Sequence, residues 1–258
     1  MKLAFEEHGD GQSLILLHAF PLSRKMWRGQ IESLREKNFR VILPDLRGFG
    51  ESHNFSDINL IEDMAMDVAE LLSDLKIQKA IIGGLSMGGY VAFNLFALFP
   101  EKFSALILCD TNASADTEEK RTGRFEMIKK IQSDGADALI ENMLPKLIGE
   151  NTKQNKKDLV REIEEMFAEV KPDAAVAALR AMAERKDHSA VLEKISVPTL
   201  LIFGEEDEVT NLDTAKDLNE QIKNSNLVII KNAGHYSNLE QPEQFNAALT
   251  NFAEKVSS

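Results

Sequence analysis

Residues 80–90 read Ala-Ile-Ile-Gly-Gly-Leu-Ser-Met-Gly-Gly-Tyr, an apolar run that leads into a Gly-x-Ser-x-Gly pattern centred on Ser86. Residues 91–99 continue with helical character, so the whole segment predicts a strand, an abrupt turn and a helix. Such a turn holds its central residue in a strained backbone conformation, and the glycines on both sides leave room for it. Because the turn lifts the hydroxyl clear of the strand, Ser86 is a candidate nucleophile.

The start of the predicted helix supplies a second group for the same site. Backbone N–H groups in the first turn of a helix lack intrahelical partners, so that of Met87 can donate to an oxyanion formed beside Ser86. A phosphate-binding loop is the competing interpretation of this glycine-rich turn. The lysine of a nucleotide-binding P-loop is missing, however, and the glycine spacing does not match a dinucleotide-binding fingerprint.

Several short apolar runs rich in Val, Ile and Leu have the length and composition of buried strands. They are Leu14–His18, Arg40–Pro44, Ala80–Gly84, Ala105–Cys109, Thr199–Phe203 and Leu227–Ile230. Segments with helical periodicity, such as Ile61–Leu75, lie between most of them. This alternation predicts an α/β fold with a mostly parallel central sheet flanked by helices.

The alternation stops between Cys109 and Thr199, where the chain is charged and helix-forming. Apolar side chains recur at helical spacing over residues 160–170, and Pro172 opens a further predicted helix. We interpret residues 113–195 as an inserted helical cap. The core domain would then consist of residues 1–112 and 196–258.

A serine hydroxyl is a weak nucleophile near neutral pH, so it needs a base within hydrogen-bonding distance and a third group that holds the base. His235 follows Gly234 on a predicted loop after the last strand and is the candidate base. Residues 205–208 (Glu-Glu-Asp-Glu) come directly after a buried strand. Loops at the carboxyl ends of parallel strands are where binding and catalytic residues usually meet. A solvated acidic loop is the alternative interpretation, and we accept it for three of these four residues.

The other four histidines have weaker claims to be the base. His8 and His53 lie in polar surroundings, and His188 lies near the end of the predicted cap. His18 ends a buried strand, and we expect it to fix the following loop by hydrogen bonding rather than to transfer protons.

The loop after the strand that ends at His18 is expected to carry the second oxyanion donor. It begins Ala19-Phe20-Pro21, and the backbone N–H of Phe20 is the candidate donor beside that of Met87. A strand end followed by a simple proline turn is the alternative.

Composition excludes several classes of function. The 258 residues include 42 acidic and 30 basic side chains, for a net charge of −12, so the surface should repel nucleic acid and anionic lipid. The N-terminal residues turn acidic after three apolar ones, unlike a signal peptide, and no apolar run approaches the ~20 residues of a membrane span. The single cysteine, Cys109, excludes an internal disulfide. We therefore expect a cytoplasmic protein without nucleic-acid or membrane partners.

These motifs together resemble those of the α/β-hydrolase superfamily, particularly its small cap-bearing carboxylesterases, 3-oxoadipate enol-lactonases and cofactor-free haloperoxidases. The resemblance extends over nearly the whole chain. Residues 44–52 (Pro-Asp-Leu-Arg-Gly-Phe-Gly-Glu-Ser) match the family's Asp-x-Arg-Gly-x-Gly-x-Ser segment, which we interpret as structural. The family's chain order of nucleophile, acid and base selects Asp207 as the acid that orients His235.

Ser86 and Ala19 distinguish this chain from some members of the family that it resembles. Epoxide hydrolases and haloalkane dehalogenases carry an aspartate nucleophile, so Ser86 argues against both. Ala19 stands where the family commonly has glycine. Its methyl group narrows the backbone conformations available beside Phe20.

The resemblance implies a serine hydrolase that cleaves a small carboxylic ester without a metal or an organic cofactor. Apolar side chains of the cap, Met127, Ile140, Met143 and Leu144, are expected to line the substrate pocket, although most such residues on any helix pack in the core. Trp27 either reaches the pocket mouth or packs in the core.

Three alternatives remain for the function. Hydrolysis of an enol-lactone is the first, and because such a substrate carries a carboxylate, the candidate partners in the cap are Arg121, Arg124, Arg161 and Arg180, unless they are solvated. A perhydrolase or haloperoxidase reaction would use the same triad. A small-molecule sensor with little or no hydrolysis belongs to a different class, because a fold does not determine a function.

Overall fold

The computed structural model describes residues 2–52 and 60–257, so His53 lies outside the described residues. The described residues form one sheet of seven strands: β1 (Phe5–His8), β2 (Gln12–Leu17), β3 (Phe39–Pro44), β4 (Ala80–Leu85), β5 (Phe103–Cys109), β6 (Thr199–Gly204) and β7 (Ser225–Ile230). Their order across the sheet is β1-β3-β2-β4-β5-β6-β7. The strand before Ser86 therefore occupies the centre, between β2 and β5.

All neighbouring strands are parallel except β1, which runs antiparallel to β3 with Phe5 opposite Pro44. Every residue of β4 is buried, as expected for a strand covered on both faces. The predicted, mostly parallel sheet is confirmed. Strand β1 was not predicted, because its sequence Phe-Glu-Glu-His alternates exposed and half-buried residues at the sheet edge and contains no apolar run.

Helices connect the strands and flank the sheet. Outside the region between β5 and β6 they are α1 (Arg28–Arg35), α2 (Ile61–Asp74), α3 (Met87–Leu98), α11 (Leu212–Gln221), α12 (Ser237–Glu240) and α13 (Pro242–Ser257), with 3-10 turns at Arg24–Trp27 and Pro100–Lys102. Helix α1 packs against α13 and α2 packs against α3. Within the described ranges, no helix has the length and apolar character needed to cross a membrane.

Residues 110–198, between β5 and β6, are here called the insertion. Its helices are α4 (Glu118–Asp134), α5 (Asp137–Asn142), α6 (Leu144–Leu147), α7 (Glu150–Asn155), α8 (Lys157–Ala168), α9 (Pro172–Ala183) and α10 (Ser189–Leu192). Helix α4 packs against α9, and α5 packs against α8. The N–H of His188 donates to the carbonyl oxygen of Ala113 at 2.8 Å, so the two ends of the insertion meet.

The segment 44–52 stabilises a loop rather than lining the site described below. The buried carboxylate of Asp45 accepts hydrogen bonds from the backbone N–H groups of Arg24 and Glu51, both at 2.8 Å, and also pairs with the Arg24 guanidinium. Gly50 has φ +50°, and a Cβ atom there would lie 2.1 Å from Asp45 Oδ2. The segment thus requires a glycine beside a buried carboxylate.

Candidate active site

Ser86 lies at the junction of β4 and α3 with φ +54° and ψ −111°. A non-glycine residue in a conformation of this kind costs about 1–3 kcal/mol and persists only where its surroundings impose it. Here the Ser86 N–H donates to the carbonyl oxygen of Cys109 at 2.9 Å, and its own carbonyl oxygen accepts from Thr111 Oγ1 at 2.9 Å and from the Tyr90 N–H at 3.1 Å. The neighbouring strand and helix thus hold the predicted turn.

The two glycines of the pattern are required by close packing. A Cβ atom at Gly84 would lie 2.2 Å from the carbonyl carbon of Gly88, and one at Gly88 would lie 2.2 Å from the carbonyl oxygen of Leu17. Both distances are far below van der Waals contact. Strand β4 and helix α3 can therefore approach each other, and α3 can approach β2, only with glycine at these positions.

Asp207 and His235 are brought together although 28 residues separate them. Asp207 follows β6 and His235 follows β7, and His235 Nδ1 lies 2.8 Å from Asp207 Oδ2, with both side chains buried. A ring whose Nδ1–H donates to a carboxylate keeps Nε2 as a proton acceptor. His235 and Ser86 line the same cavity. Ser86, His235 and Asp207 are called the candidate triad below.

Asp207 is held in its charged form by its neighbours. Its Oδ1 accepts from the N–H groups of Val209 at 2.8 Å and Thr210 at 3.1 Å, and its Oδ2 accepts from Thr210 Oγ1. Burial acts to raise the pKa of Asp207, but the charge of His235 and the hydrogen bonds from His235 and Thr210 outweigh burial and hold the pKa below its usual value. The carboxylate can therefore stabilise a cationic imidazole.

A second buried carboxyl group, Asp110, lies beside this arrangement and was not predicted. Asp110 Oδ1 accepts from the N–H of Gly204 at 2.7 Å, and Oδ2 lies 2.5 Å from Ser237 Oγ. Burial, with the negative charge of Asp207, raises the pKa of Asp110 well above the usual aspartate value. The pKa values of the two neighbouring carboxyl groups are thus shifted in opposite directions, and Asp110 keeps its proton to a higher pH than Asp207 does. An aspartate directly after a buried strand is the signal that would have found it.

Asp110 makes the stability of the protein depend on pH. Between the usual aspartate pKa of about 4 and the raised pKa, the folded protein keeps a proton that the unfolded chain has lost. The free energy of unfolding should therefore fall as pH rises through this window, by up to about 1.4 kcal/mol per pH unit. Asparagine has nearly the same shape as aspartate and does not titrate, so Asp110→Asn should remove this slope.

Urea unfolding at a series of pH values measures the effect. The wild type should lose stability relative to Asp110→Asn as pH rises above about 4. Asp213→Asn, at an exposed position of α11, is the matched control and should retain the wild-type slope. Equal slopes in wild type and Asp110→Asn would show that Asp110 is ionised in the folded protein.

Of the two candidate oxyanion donors, Phe20 lies in the loop after β2 and Met87 lies at the start of α3. Met87 is the first residue of α3, so its N–H has no partner within the helix. Phe20 lines the cavity, and its carbonyl oxygen accepts from the Tyr236 hydroxyl at 3.1 Å. Ala19, in the place of the usual glycine, is fully buried and donates its N–H to Met26 Sδ at 3.2 Å.

His18 fixes the Phe20 loop. Its Nδ1 lies 3.0 Å from the carbonyl oxygen of Ala19, and its Nε2 accepts from the N–H of Leu46 at 2.9 Å. Burial lowers the pKa of His18. Because both ring nitrogens are engaged with the backbone and the ring is neutral, His18 serves the loop and has no role as a base.

The cavity beside Ser86 has a volume of about 300 Å³. The insertion supplies much of its wall, and Glu208 and Val209, which follow Asp207 in the chain, also line it. Its lining residues are Phe20, Ser86, Tyr90, Asp116, Lys120, Gly123, Arg124, Met127, Asn142, Met143, Lys146, Leu147, Leu179, Met182, Glu208, Val209 and His235. Across the described residues, no group of three or more His, Cys, Asp or Glu side chains is arranged to hold a metal ion.

The apolar residues expected at the pocket divide into two groups. Met127 and Met143 line the cavity, whereas Trp27, Ile140 and Leu144 are not among the lining residues. Trp27 is fully buried, and its ring centroid lies 6.0 Å from that of Phe245. Leu144 belongs to the hydrophobic core, and the partly buried Ile140 packs against it. The pocket expectation for these three is corrected, because helical apolar periodicity marks the buried face of a helix without distinguishing cavity from core.

The four arginines expected as carboxylate partners differ in whether they line the cavity. Arg124 lines the cavity. Arg121 lies over the ring of Phe125, Arg161 pairs with Asp158 at the surface, and Arg180 is exposed. The cavity also contains the ionisable side chains of Tyr90, Asp116, Lys120 and Lys146, which the sequence did not indicate, and that of Glu208 from the acidic stretch 205–208.

Backbone and side-chain contacts tie the insertion to the loop that carries His235. The N–H of His235 donates to the carbonyl oxygen of Leu147 at 2.9 Å. The buried carboxylate of Glu240 accepts from the N–H groups of Gly149 at 2.7 Å and Gly234 at 2.9 Å. The position of the candidate base thus depends on the insertion as well as on β7.

Comparison with known proteins places this arrangement in a family. A model of the alpha/beta hydrolase fold matches residues 12–131, and one described as Serine hydrolase (FSH1) matches residues 138–240. The AB hydrolase superfamily protein YisY of Bacillus subtilis is 33% identical, with 97% of this chain and 95% of that protein covered. The 3-oxoadipate enol-lactonase 2 of Acinetobacter baylyi is 29% identical, with 93% of this chain and 88% of that protein covered.

A solved structure of a thermophilic esterase from Thermogutta terrifontis agrees with the fold over almost its full length. It is 38% identical, has a TM-score of 0.95, and covers 99% of this chain and 94% of its own. These similarities extend over the sheet, the insertion and the loops that carry Ser86, Asp207 and His235. The chain is a hydrolase that belongs to the α/β-hydrolase superfamily.

Proposed function

We propose that this hydrolase cleaves a small carboxylic ester through an acyl-enzyme intermediate on Ser86. The observation that carries the proposal is the buried 2.8 Å contact between His235 Nδ1 and Asp207 Oδ2 beside a cavity that also contains Ser86. This is the relation of base to orienting acid that activation of a serine requires. The esterase and enol-lactonase among the relatives support a reaction at a carbonyl group.

In the proposed reaction, His235 takes the proton of Ser86 while the serine oxygen attacks the ester carbonyl. The N–H groups of Phe20 and Met87 donate to the resulting oxyanion. The protonated His235 then gives its proton to the departing alcohol, and Asp207 stabilises the imidazolium in the interval. Water, activated by the same base, attacks the acyl-enzyme and releases the acid.

In this proposal the insertion determines substrate specificity. We treat residues 113–195 as a helical cap over a core of residues 1–112 and 196–258, with the cap determining which acyl group fits. Eleven of the cavity residues, from Asp116 to Met182, lie in residues 113–195, which supports the assignment of specificity to the cap.

Hydrolysis of a lactone is the second candidate function. It uses the same triad, and the cationic side chains of Lys120, Arg124 and Lys146 in the cavity wall favour it because they suit a substrate that carries a carboxylate. A perhydrolase or haloperoxidase reaction shares the triad without an observation that selects it. A small-molecule sensor is distinguished from all of these by the absence of turnover.

Labelling with a fluorophosphonate, followed by peptide mass spectrometry, tests the proposal directly. An activated serine should be modified within minutes, with the added mass on Ser86. Asp207→Asn should react much more slowly because its base is misoriented. An intact wild-type protein that is neither labelled nor active on a panel of short-chain p-nitrophenyl esters and lactones would exclude the hydrolytic function and favour the sensor.

A further inference from the structure

The wall of the cavity is more positively charged than the protein as a whole. Besides the candidate triad, its charged lining residues are three cations, Lys120, Arg124 and Lys146, and two carboxylates, Asp116 and Glu208. The complete chain, in contrast, has a net charge of −12. A local reversal of charge in a cleft attracts ligands of the opposite sign, here anions.

Arg124 is the cation held most firmly in this wall. Its Nε donates to Asp116 Oδ2 at 2.5 Å and its Nη2 to Asp116 Oδ1 at 3.3 Å, and its side chain is only 18% exposed. Its Nη1 lies 3.4 Å from Met182 Sδ, which is a weak acceptor, and Met182 lines the cavity. The guanidinium also contacts the Tyr90 side chain, so its further partners among the described residues, Met182 and Tyr90, are neutral rather than anionic.

Asp116 does not neutralise this cluster, because a second guanidinium shares it. Arg185 Nη1 lies 2.5 Å from Asp116 Oδ1. The other contacts of Arg185 are with neutral groups: the carbonyl oxygens of Ser114 and Met182, the Asn112 side chain, and the ring of Tyr90. Among the described residues, two guanidinium groups thus share one buried carboxylate, so this cluster carries one excess positive charge beside the cavity.

The excess charge persists over the working pH range. Burial acts to raise the pKa of Asp116, but the hydrogen bonds and charges of Arg124 and Arg185 hold it below the usual aspartate value, so Asp116 is ionised. Guanidinium groups remain protonated in proteins. A buried charge without a counter-charge is costly, so a ligand that supplies a negative charge here is favoured.

We infer that Arg124 forms a subsite for a carboxylate on the substrate, so that the preferred substrate is an ester or lactone of a small dicarboxylic acid. This inference rests on the proposed hydrolytic function, because Ser86 and Arg124 line one cavity of about 300 Å³. The reacting carbonyl lies at Ser86 while the second carboxylate contacts Arg124. The exposed side chains of Lys120 and Lys146 extend the positive surface along which such an anion approaches.

Competition kinetics test the subsite. The probes are the monomethyl esters of succinic, glutaric and adipic acids, each compared with the analogue in which an amide replaces the free carboxyl group. Their inhibition constants against hydrolysis of p-nitrophenyl acetate report binding whether or not the probes are turned over quickly. For the best chain length, the acid should bind about 10- to 100-fold more tightly than its amide, as charged hydrogen bonds of this kind allow.

Variants of helix α4 assign the preference to a residue. Arg124→Met should reduce the ratio of acid to amide binding to about one, whereas Arg124→Lys should retain part of it. Arg121→Met, on the same helix but outside the cavity lining, is the matched control and should leave the ratio unchanged.

The carboxylate subsite and the hydrolytic function can fail independently in these experiments. Equal binding of acid and amide at all three chain lengths, or an unchanged ratio in Arg124→Met, overturns the subsite while the hydrolytic function stands. If wild type does not hydrolyse p-nitrophenyl acetate, the proposed function fails. Calorimetric titration of wild type and Arg124→Met with the same probes then decides the subsite independently.

Discussion

Replacement of Ser86 by alanine is expected to lower kcat for ester hydrolysis by about 10⁶-fold, the loss found when the nucleophile is removed from the triad of a serine protease. Alanine lacks the oxygen that forms the acyl-enzyme, so only oxyanion stabilisation and substrate binding remain. The fold should survive, because the hydrogen bonds that hold this turn use the backbone N–H and carbonyl groups of residue 86.

Steady-state hydrolysis of p-nitrophenyl acetate measures this loss. Ser114→Ala is a matched control, because Ser114 lies outside the cavity lining and its hydroxyl bonds only Asn112 among the described residues. Circular dichroism should show both variants folded. Retention of more than a few per cent of wild-type kcat by a folded Ser86→Ala protein would exclude Ser86 as the nucleophile.

Asp207→Asn should lower kcat by about 10⁴-fold, as in the serine-protease precedent. Val209 and Thr210 donate their N–H groups to Oδ1, so the asparagine must place its oxygen there and its NH₂ group toward His235 Nδ1. The imidazole would then accept at Nδ1 and carry its proton on Nε2. A ring in that tautomer cannot accept the proton of Ser86.

The same ester assay, with Asp217→Asn as an exposed control on α11, checks this expectation. Near-wild-type kcat in Asp207→Asn would mean that another acid orients His235. Asp110 is the group that would then be examined, because it lies beside Asp207. A large loss of kcat in Asp110→Asn alone would assign the role to it.

The central part of the fold could be predicted from local sequence. A buried strand, a glycine-flanked serine and a helix follow one another within twenty residues, and each is recognisable without knowledge of the rest of the chain. The parallel strands were found by their apolar runs, since both faces of such strands are covered. Strand β1 was not predicted, because an edge strand with charged residues has no such apolar run.

The sequence by itself determined the turn at Ser86, the order of the candidate triad and the membership of the superfamily, because these depend on adjacency and order along the chain. Tertiary structure alone decided which cationic side chains face the cavity. Arg124 and Asp116 are 8 residues apart and Arg185 and Asp116 are 69 apart, so their shared charge arises only when α4 and the end of α9 pack together. Long-range packing likewise placed Asp110 beside Asp207 and Trp27 in the core. Helical periodicity distinguishes a buried face from an exposed one, and it contains no information about what that face meets.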